Sequence, residues 1–145
     1  MLRYGLRVSR EGRISCGDIE LSPVKLGRAV GCDRRVVVDT AQMIAHDPGL
    51  LQIFSGLRPT CFIGEGARAL RFGFVEIRAD PNAMGLVAKV TRVLAREGLL
   101  IRQIVADDPD IYPDPKLTII TDRKLTPKAL LEIQKMKEVE RISLQ

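Results

Sequence analysis

Tryptophan is absent, aromatic side chains make up 4% of the residues, and histidine occurs once in 145 positions. So few aromatics argue against a stacking platform for single-stranded nucleic acid. The lone His46 cannot build a His-rich metal site. No Ser/Asp or Cys partner stands around it in a known triad order, so neither a zinc enzyme nor a triad hydrolase is expected. Cysteine is scarce too. Cys16, Cys32 and Cys61 are odd in number and far apart, with no CxxC pair. Small reduced thiols in a reducing cytosol are expected rather than a disulfide framework. No apolar run approaches the roughly 20 residues of a spanning helix. Met1 is followed by Leu2-Arg3-Tyr4-Gly5-Leu6-Arg7, with no long apolar stretch, which predicts no secretory leader and a cytoplasmic protein.

What is present is a globular composition, 46% apolar and 28% charged. The length suits one ordinary domain or two very small ones. The net charge of +5 is spread along the chain: residues 1–70 carry 10 Lys/Arg against 7 Asp/Glu, and residues 71–145 carry 13 against 11. Such a surface permits nucleic-acid binding without demanding it.

Hydrophobic periodicity divides the chain. Tyr4–Val8, Arg13–Cys16 and Ile19–Leu21 alternate apolar and polar residues and predict three short strands, with turns at Glu11-Gly12 and Gly17-Asp18. Ser22-Pro23 opens a helix, as a cap residue before a first-turn proline does, and Gly31 stops it. Val24, Leu26, Ala29 and Val30 supply its apolar positions. Asp33 caps a second helix carrying Val36, Val37, Thr40, Ala41 and Ile44. Asp47-Pro48-Gly49 breaks the pattern, and Leu50, Leu51, Ile53 and Phe54 predict a short third helix closed by Ser55-Gly56.

From residue 71 the pattern is more regular. Phe72–Ala79 predicts a strand and Asp80–Ala83 a turn. Met84–Glu97 predicts a helix with Val87, Val90, Thr91 and Leu94 on its inward face. Leu99–Ala106 predicts a strand, residues 107–115 a proline-stiffened loop, and Lys116–Thr121 a β-branched strand. Thr126-Pro127 opens a helix with Leu130, Ile133 and Met136 inward, and Val139–Leu144 predicts a last strand. The order β-α-β-β-α-β is that of a ferredoxin-like unit, with two helices on one face of a four-stranded antiparallel sheet. The expected class is α+β. The expected parts are a helix-turn-helix-like N-terminal part with short leading strands (1–58), a linker (59–70) and the ferredoxin-like domain (71–145).

The run Gly85-Leu86-Val87-Ala88-Lys89-Val90-Thr91, with Gly98 closing the helix, resembles the ACT domain. Taken with Ile101-Arg102-Gln103, Ala106-Asp107-Asp108-Pro109, Pro115–Thr121, Gly31–Val37 and Leu57-Arg58-Pro59, it resembles an archaeal family of predicted amino-acid-metabolism regulators containing an ACT domain, over nearly the whole chain. Met84 stands where ACT domains usually carry proline, and Leu100 near where serine-sensing ones carry asparagine. The resemblance implies a small amino-acid ligand at the boundary of a homodimer, and regulation rather than catalysis.

Two candidate sites follow. The first is the strand–helix turn of Asp80, Asn82, Met84, Gly85 and Leu86, with Leu100 and Gln103 on the next strand. A helix N-terminus suits a carboxylate, Gly85 admits close backbone approach, and Asp80 or Asn82 could receive an ammonium group. The plain alternative is that Asp80 or Asn82 merely caps the helix. The second site is 23–44. With Pro23 as position one of a helix-turn-helix, Gly27 falls at five, Gly31 at nine, and Cys32 and Val37 at ten and fifteen, which are the packing and turn positions of such a unit. Arg34 and Arg35 then open the second helix, with Gln42 farther along it, and Lys25 lies on the first. Arginine reads guanine and glutamine reads adenine in the major groove. The plain alternative is a solvated pair of arginines, with Asp39 repelling phosphate.

Asp107, Asp108, Asp110 and Asp114 lack the glycine turn and closing glutamate of a calcium loop, so no metal is expected there. No acid/base pair, nucleophile or cofactor cradle emerges, so neither an enzyme nor a bound cofactor is expected. The expected function is an amino-acid-responsive, DNA-binding transcriptional regulator acting allosterically as a homodimer. The competing expectation is an ACT-type regulatory subunit that docks on a biosynthetic enzyme without binding DNA.

Overall fold

The structure, a computed structural model, describes residues 1–64 and 66–144. It is α+β, with five α-helices and two antiparallel sheets among the described residues. The chain divides into two compact units, Met1–Cys61 and Phe62–Gln145.

In the first unit a 3-10 turn, Leu2–Tyr4, precedes β1 (Arg7–Val8), β2 (Ile14–Cys16) and β3 (Ile19–Glu20), which pair in the order β1-β2-β3. The strand expected from Tyr4 therefore begins later. The amides of Tyr4, Gly5 and Leu6 bond back to the carbonyls of Met1 and Leu2, so none is left for a strand partner. Three helices follow: α1 (Pro23–Val30), α2 (Arg34–His46) and α3 (Pro48–Gly56). Pro23 occupies the start of α1, and Gly31 ends it in the left-handed conformation. Asp33 caps α2 by accepting the Arg35 amide at 2.7 Å. Asp47 ends α2 and caps α3, its carboxylate accepting the Leu50 amide at 2.9 Å. Leu6, Val8 and Ile14 from the strand region pack with Val37, Ala41 and Ile44 from α2. Burying each of the Leu, Val and Ile side chains contributes roughly 1.5–3 kcal/mol relative to exposure.

The second unit contains β4 (Gly73–Ala79), α4 (Leu86–Arg96), β5 (Ile101–Ala106), β6 (Leu117–Thr121), α5 (Pro127–Gln134) and β7 (Val139–Leu144). Its four strands are hydrogen-bonded in the order β5-β6-β4-β7, all antiparallel. Both helices cover one face. Val75 and Ile77 of β4 and Leu117 and Ile119 of β6 meet Leu86, Val90, Val93 and Leu94 of α4 and Ala129 and Ile133 of α5. The buried stripe of α4 is thus rotated from the expected one. Leu86 and Val93 are inside, whereas Val87 is 42% exposed.

The other face of the sheet is covered at one end. Phe74 and Ile120 pack with Ala67, Ile63 and Phe72. Residues 59–70, expected as a linker, therefore supply Ile63 and Ala67 to this packing. The Ile63 amide donates to Gln103 Oε1 at 3.1 Å, and the Arg102 guanidinium lies 5.1 Å from the Phe72 ring centroid, within cation–π range.

Candidate functional site

The turn leaving β4 is built on Asp80. Its carboxylate accepts the Asn82 amide at 2.9 Å and its carbonyl accepts the Ala83 amide at 2.9 Å. Neither Asp80 nor Asn82 caps α4. The position before the helix is Gly85, at φ +81°, and no side chain caps the helix there. A Cβ on Gly85 would meet nothing within 4 Å, so what requires glycine is the left-handed backbone and not lack of space.

Beside this turn lies a cleft of about 500 Å³. Ala79, Asp80, Gly85 and Leu86 form one side, and Asp107 and Lys116, at the two ends of the β5–β6 loop, form the other. The loop ends are tied together: the Asp107 amide donates to the Lys116 carbonyl at 2.9 Å, and the Lys116 amide to Asp107 Oδ2 at 3.2 Å. Arg78 pairs with Asp114 farther along the loop. The arrangement offers an apolar wall, the carboxylates of Asp80 and Asp107 and the open first turn of a helix, while the Lys116 ammonium lies 3.6 Å from Glu76 Oε2. Those are the groups that a small zwitterion could match.

Of the expected ligand residues, the cleft brings together Asp80, Gly85 and Leu86. Asn82 and Met84 are on the turn but not in its walls, and Met84 is 93% exposed. Leu100 lies at the other end of the sheet. Its neighbour Ile101 pairs with Thr121, whereas the cleft adjoins Ala106, which pairs with Leu117. The Leu100 amide donates to Asp122 Oδ1 at 3.0 Å. Gln103 is half-buried, its carbonyl oxygen bound to Ile63. The cleft also takes in Asp107, read in sequence as part of a solvated acidic loop, and Lys116, read as the first residue of a strand; only their pairing across the β5–β6 connection marks them.

Further ion pairs tie the two helices of this unit. Lys89 Nζ lies 2.5 Å from Glu138 Oε1, Lys128 Nζ lies 2.8 Å from Glu97 Oε1, and Arg96 bonds Glu132. The Thr126 hydroxyl donates to Glu97 and also accepts the Ala129 amide to cap α5. Hydrogen bonds from Lys128 first and Thr126 second hold the Glu97 carboxyl below its ordinary 4.5, and the bond from Lys89 does the same to Glu138. The Glu97 carboxylate in turn raises Lys128 above 10.5. A lowered carboxyl stabilises the fold above its unfolded value and loses that contribution as pH falls through the folded value. A raised lysine stabilises below its unfolded value and loses that contribution as pH rises through the folded one. The melting temperature is therefore expected to fall on acidification below about pH 4.5, and Glu97→Gln to flatten the acid limb in calorimetric scans. An unchanged limb would remove Glu97 as a contributor.

In the first unit α1, a three-residue turn and α2 follow one another. Gly27 is required by close approach: a Cβ there would stand 2.7 Å from the Cys32 carbonyl oxygen, and the Cys32 amide donates to the Gly27 carbonyl at 2.9 Å. Lys25, Arg34 and Arg35 are exposed, the two arginines at the first two positions of α2. Gln42 is engaged within the unit, its Nε2 donating to the Glu11 carbonyl at 3.3 Å. Val36 and Met43, seven residues apart and so on one side of α2, are 53% and 58% exposed.

Among the described residues no three His, Cys, Asp or Glu side chains are grouped to hold a metal ion, and no helix is long and apolar enough to cross a membrane. Neither the protein-family models nor the curated proteins give a match to this chain.

Proposed function

We propose that the chain is an amino-acid-responsive, cytoplasmic regulator of amino-acid metabolism, with a ligand-sensing ACT-type second unit and a DNA-contacting first unit. The observation that carries the reading is that the ligand turn and the arginine-led helix belong to two separately packed units. The strand order β5-β6-β4-β7 with both helices on one face supports a ferredoxin-like ACT arrangement. The cleft beside Gly85 supports a small amino acid, its carboxylate at the α4 N-terminus and its ammonium group near Asp80 or Asp107. Ligand acts on DNA binding only through different affinities for two states of the protein.

The test is a thermal-shift screen of the twenty amino acids. A ligand at 100 times its dissociation constant stabilises by about 2.7 kcal/mol. Gly85→Ala is expected to lower the intrinsic stability by about 1–2 kcal/mol, because only glycine adopts φ +81° without strain, and to reduce the ligand shift. If no amino acid moves the wild type, sensing at this turn is refuted.

The same reading includes a homodimer. Strand β5 is an edge, bonded to β6 alone, and carries Ile104, with Leu100 just before it 60% exposed. An unprotected apolar edge favours pairing with a second copy. Light scattering at tens of micromolar is expected to return twice the 16.1 kDa chain mass; the chain mass itself would refute pairing.

The exposed Val36 and Met43 favour a second reading. Apolar side chains beside Arg35 suit a protein surface better than a phosphate backbone, as in a regulatory subunit docked on a biosynthetic enzyme.

A further inference from the structure

We propose that the β1–β2 hairpin turn, Ser9–Arg13, is a second contact to the DNA backbone, held beside α2 by Gln42 acting as a positioning residue. The inference rests on the DNA-binding reading of the first unit and adds to it an element that the helix pair alone does not supply.

The turn is rigid by construction. The Ser9 amide donates to the Arg13 carbonyl at 2.9 Å and the Gly12 amide to the Ser9 carbonyl at 3.0 Å. The Glu11 and Arg13 amides both donate to Ser9 Oγ, which itself donates to Glu11 Oε2 at 2.7 Å. A loop ordered before binding loses less entropy on binding. It is also fixed to α2. Gln42 Nε2 donates to the Glu11 carbonyl, and a Cβ on Gly12, at φ +73°, would stand 2.5 Å from that same nitrogen. Glycine thus lets the turn seat on the glutamine.

The seat lies on the side of α2 that carries Arg35, with Asp39 between the two, so the basic turn adds positive charge where the helix carries a carboxylate. Residues seven apart share a helix side, and seven residues span about 10 Å along the axis. Arg10 and Arg13 therefore stand beside the helix that opens with Arg34 and Arg35. All four guanidinium groups belong to exposed or half-exposed residues, and Arg10 makes no ion pair among the described residues. Arg13 lies 3.8 Å from Glu11 Oε2, the same oxygen that accepts the Ser9 hydroxyl, so one carboxylate offsets part of the charge of the turn. A helix seated in a major groove about 12 Å wide is flanked by phosphates, and a basic turn beside it meets one of those strands. This assigns Gln42 a structural duty in place of reading adenine.

The experiment measures full-chain binding to a random-sequence DNA duplex by fluorescence anisotropy across a salt series, beginning at low salt. Arg10→Ala and Arg13→Ala are each expected to weaken binding and to flatten the plot of log affinity against log salt by about one unit. Gln42→Ala is expected to weaken binding several-fold, and Arg10→Ala added to it to change the slope little further, because the turn is no longer held. If the wild type binds and neither arginine variant alters the slope, the hairpin proposal is overturned while the DNA reading stands on Arg34 and Arg35. If Gln42→Ala changes preference at one base pair of a selected site and leaves the slope alone, Gln42 reads a base and its positioning role is overturned. If the wild type binds no duplex at any salt, the DNA reading fails and the proposal with it.

Discussion

Replacing Arg34 and Arg35 together by alanine is expected to weaken binding to a genomically selected duplex at least tenfold. The two side chains are exposed at the first two positions of α2, where a recognition helix presents its residues to base edges. Each lost base contact costs about 1–3 kcal/mol, and each lost phosphate contact flattens the salt slope by about one unit. A tenfold loss needs only about 1.4 kcal/mol, so one real contact suffices. The fold is not at stake. Asp33 caps α2 through the backbone amide of Arg35, which alanine keeps, and neither arginine belongs to the packed cluster of the unit. Undiminished affinity in anisotropy measurements would remove this helix as the contact. Loss of a co-purifying biosynthetic enzyme on the same substitutions, with no duplex enriched by the wild type, would establish the second reading instead.

The largest effect on stability is expected from Ile119→Ala. Ile119 lies on β6, which is bonded on both sides, and none of its surface is exposed. Its side chain is in the cluster that joins the sheet to α4 and α5. Removing a buried isoleucine to alanine costs about 2–5 kcal/mol, from lost transfer energy and from the cavity that remains. Leu131→Ala is the control. Leu131 is on α5 but 56% exposed, and surface changes of this kind stay within about 0.5 kcal/mol. Urea unfolding of the two variants should separate their midpoints widely; equal midpoints would mean that the helices do not close over this face.

Leu86 lines the cleft beside Gly85 and is also part of the core, so the first turn of the helix is fixed by packing. Lys89, one turn on, is tied to Glu138 just before β7. On the proposed reading, a ligand at this turn acts on a helix already held at both its apolar and its charged sides. Its effect is carried by differences between states of the whole unit and not by ordering of the helix.

Much of this was legible in local pattern. Pro23 and Pro127 mark helix starts because a first-turn position has no use for an amide hydrogen, and Gly31 marks an end because it takes the left-handed conformation freely; Pro48, read as a break before a helix from Leu50, is itself the first residue of α3. The β-branched run of 117–121 and the order of elements from residue 71 could be read from periods of two and of three to four residues. Those periods also located the strand–helix turn before α4 and the arginine-led helix. They were less able to rank neighbouring apolar residues: on α4 the packing took Leu86 and Val93 and left Val87 half outside, because the sheet beneath, and not the helix, sets which stripe is central.

The polar residues divide more sharply. Gln42 and Gln103 are exposed or half-exposed amides in a sequence that offers them as ligand or base contacts, yet each is bound to a backbone group 31 or 40 residues away. Leu100 is fifteen residues from Gly85 in sequence, but α4 carries the chain along the sheet so that the two stand at opposite ends. Asp107 reads as the start of an acidic loop and Lys116 as the start of a strand until the hairpin closes and brings both to the cleft beside Asp80 and Gly85. Element identity came from the sequence because it depends on bonds within one or two turns of chain. Which side chains share a site came only from the tertiary structure, because that depends on strand order and on hydrogen bonds between segments whose separation no local period encodes.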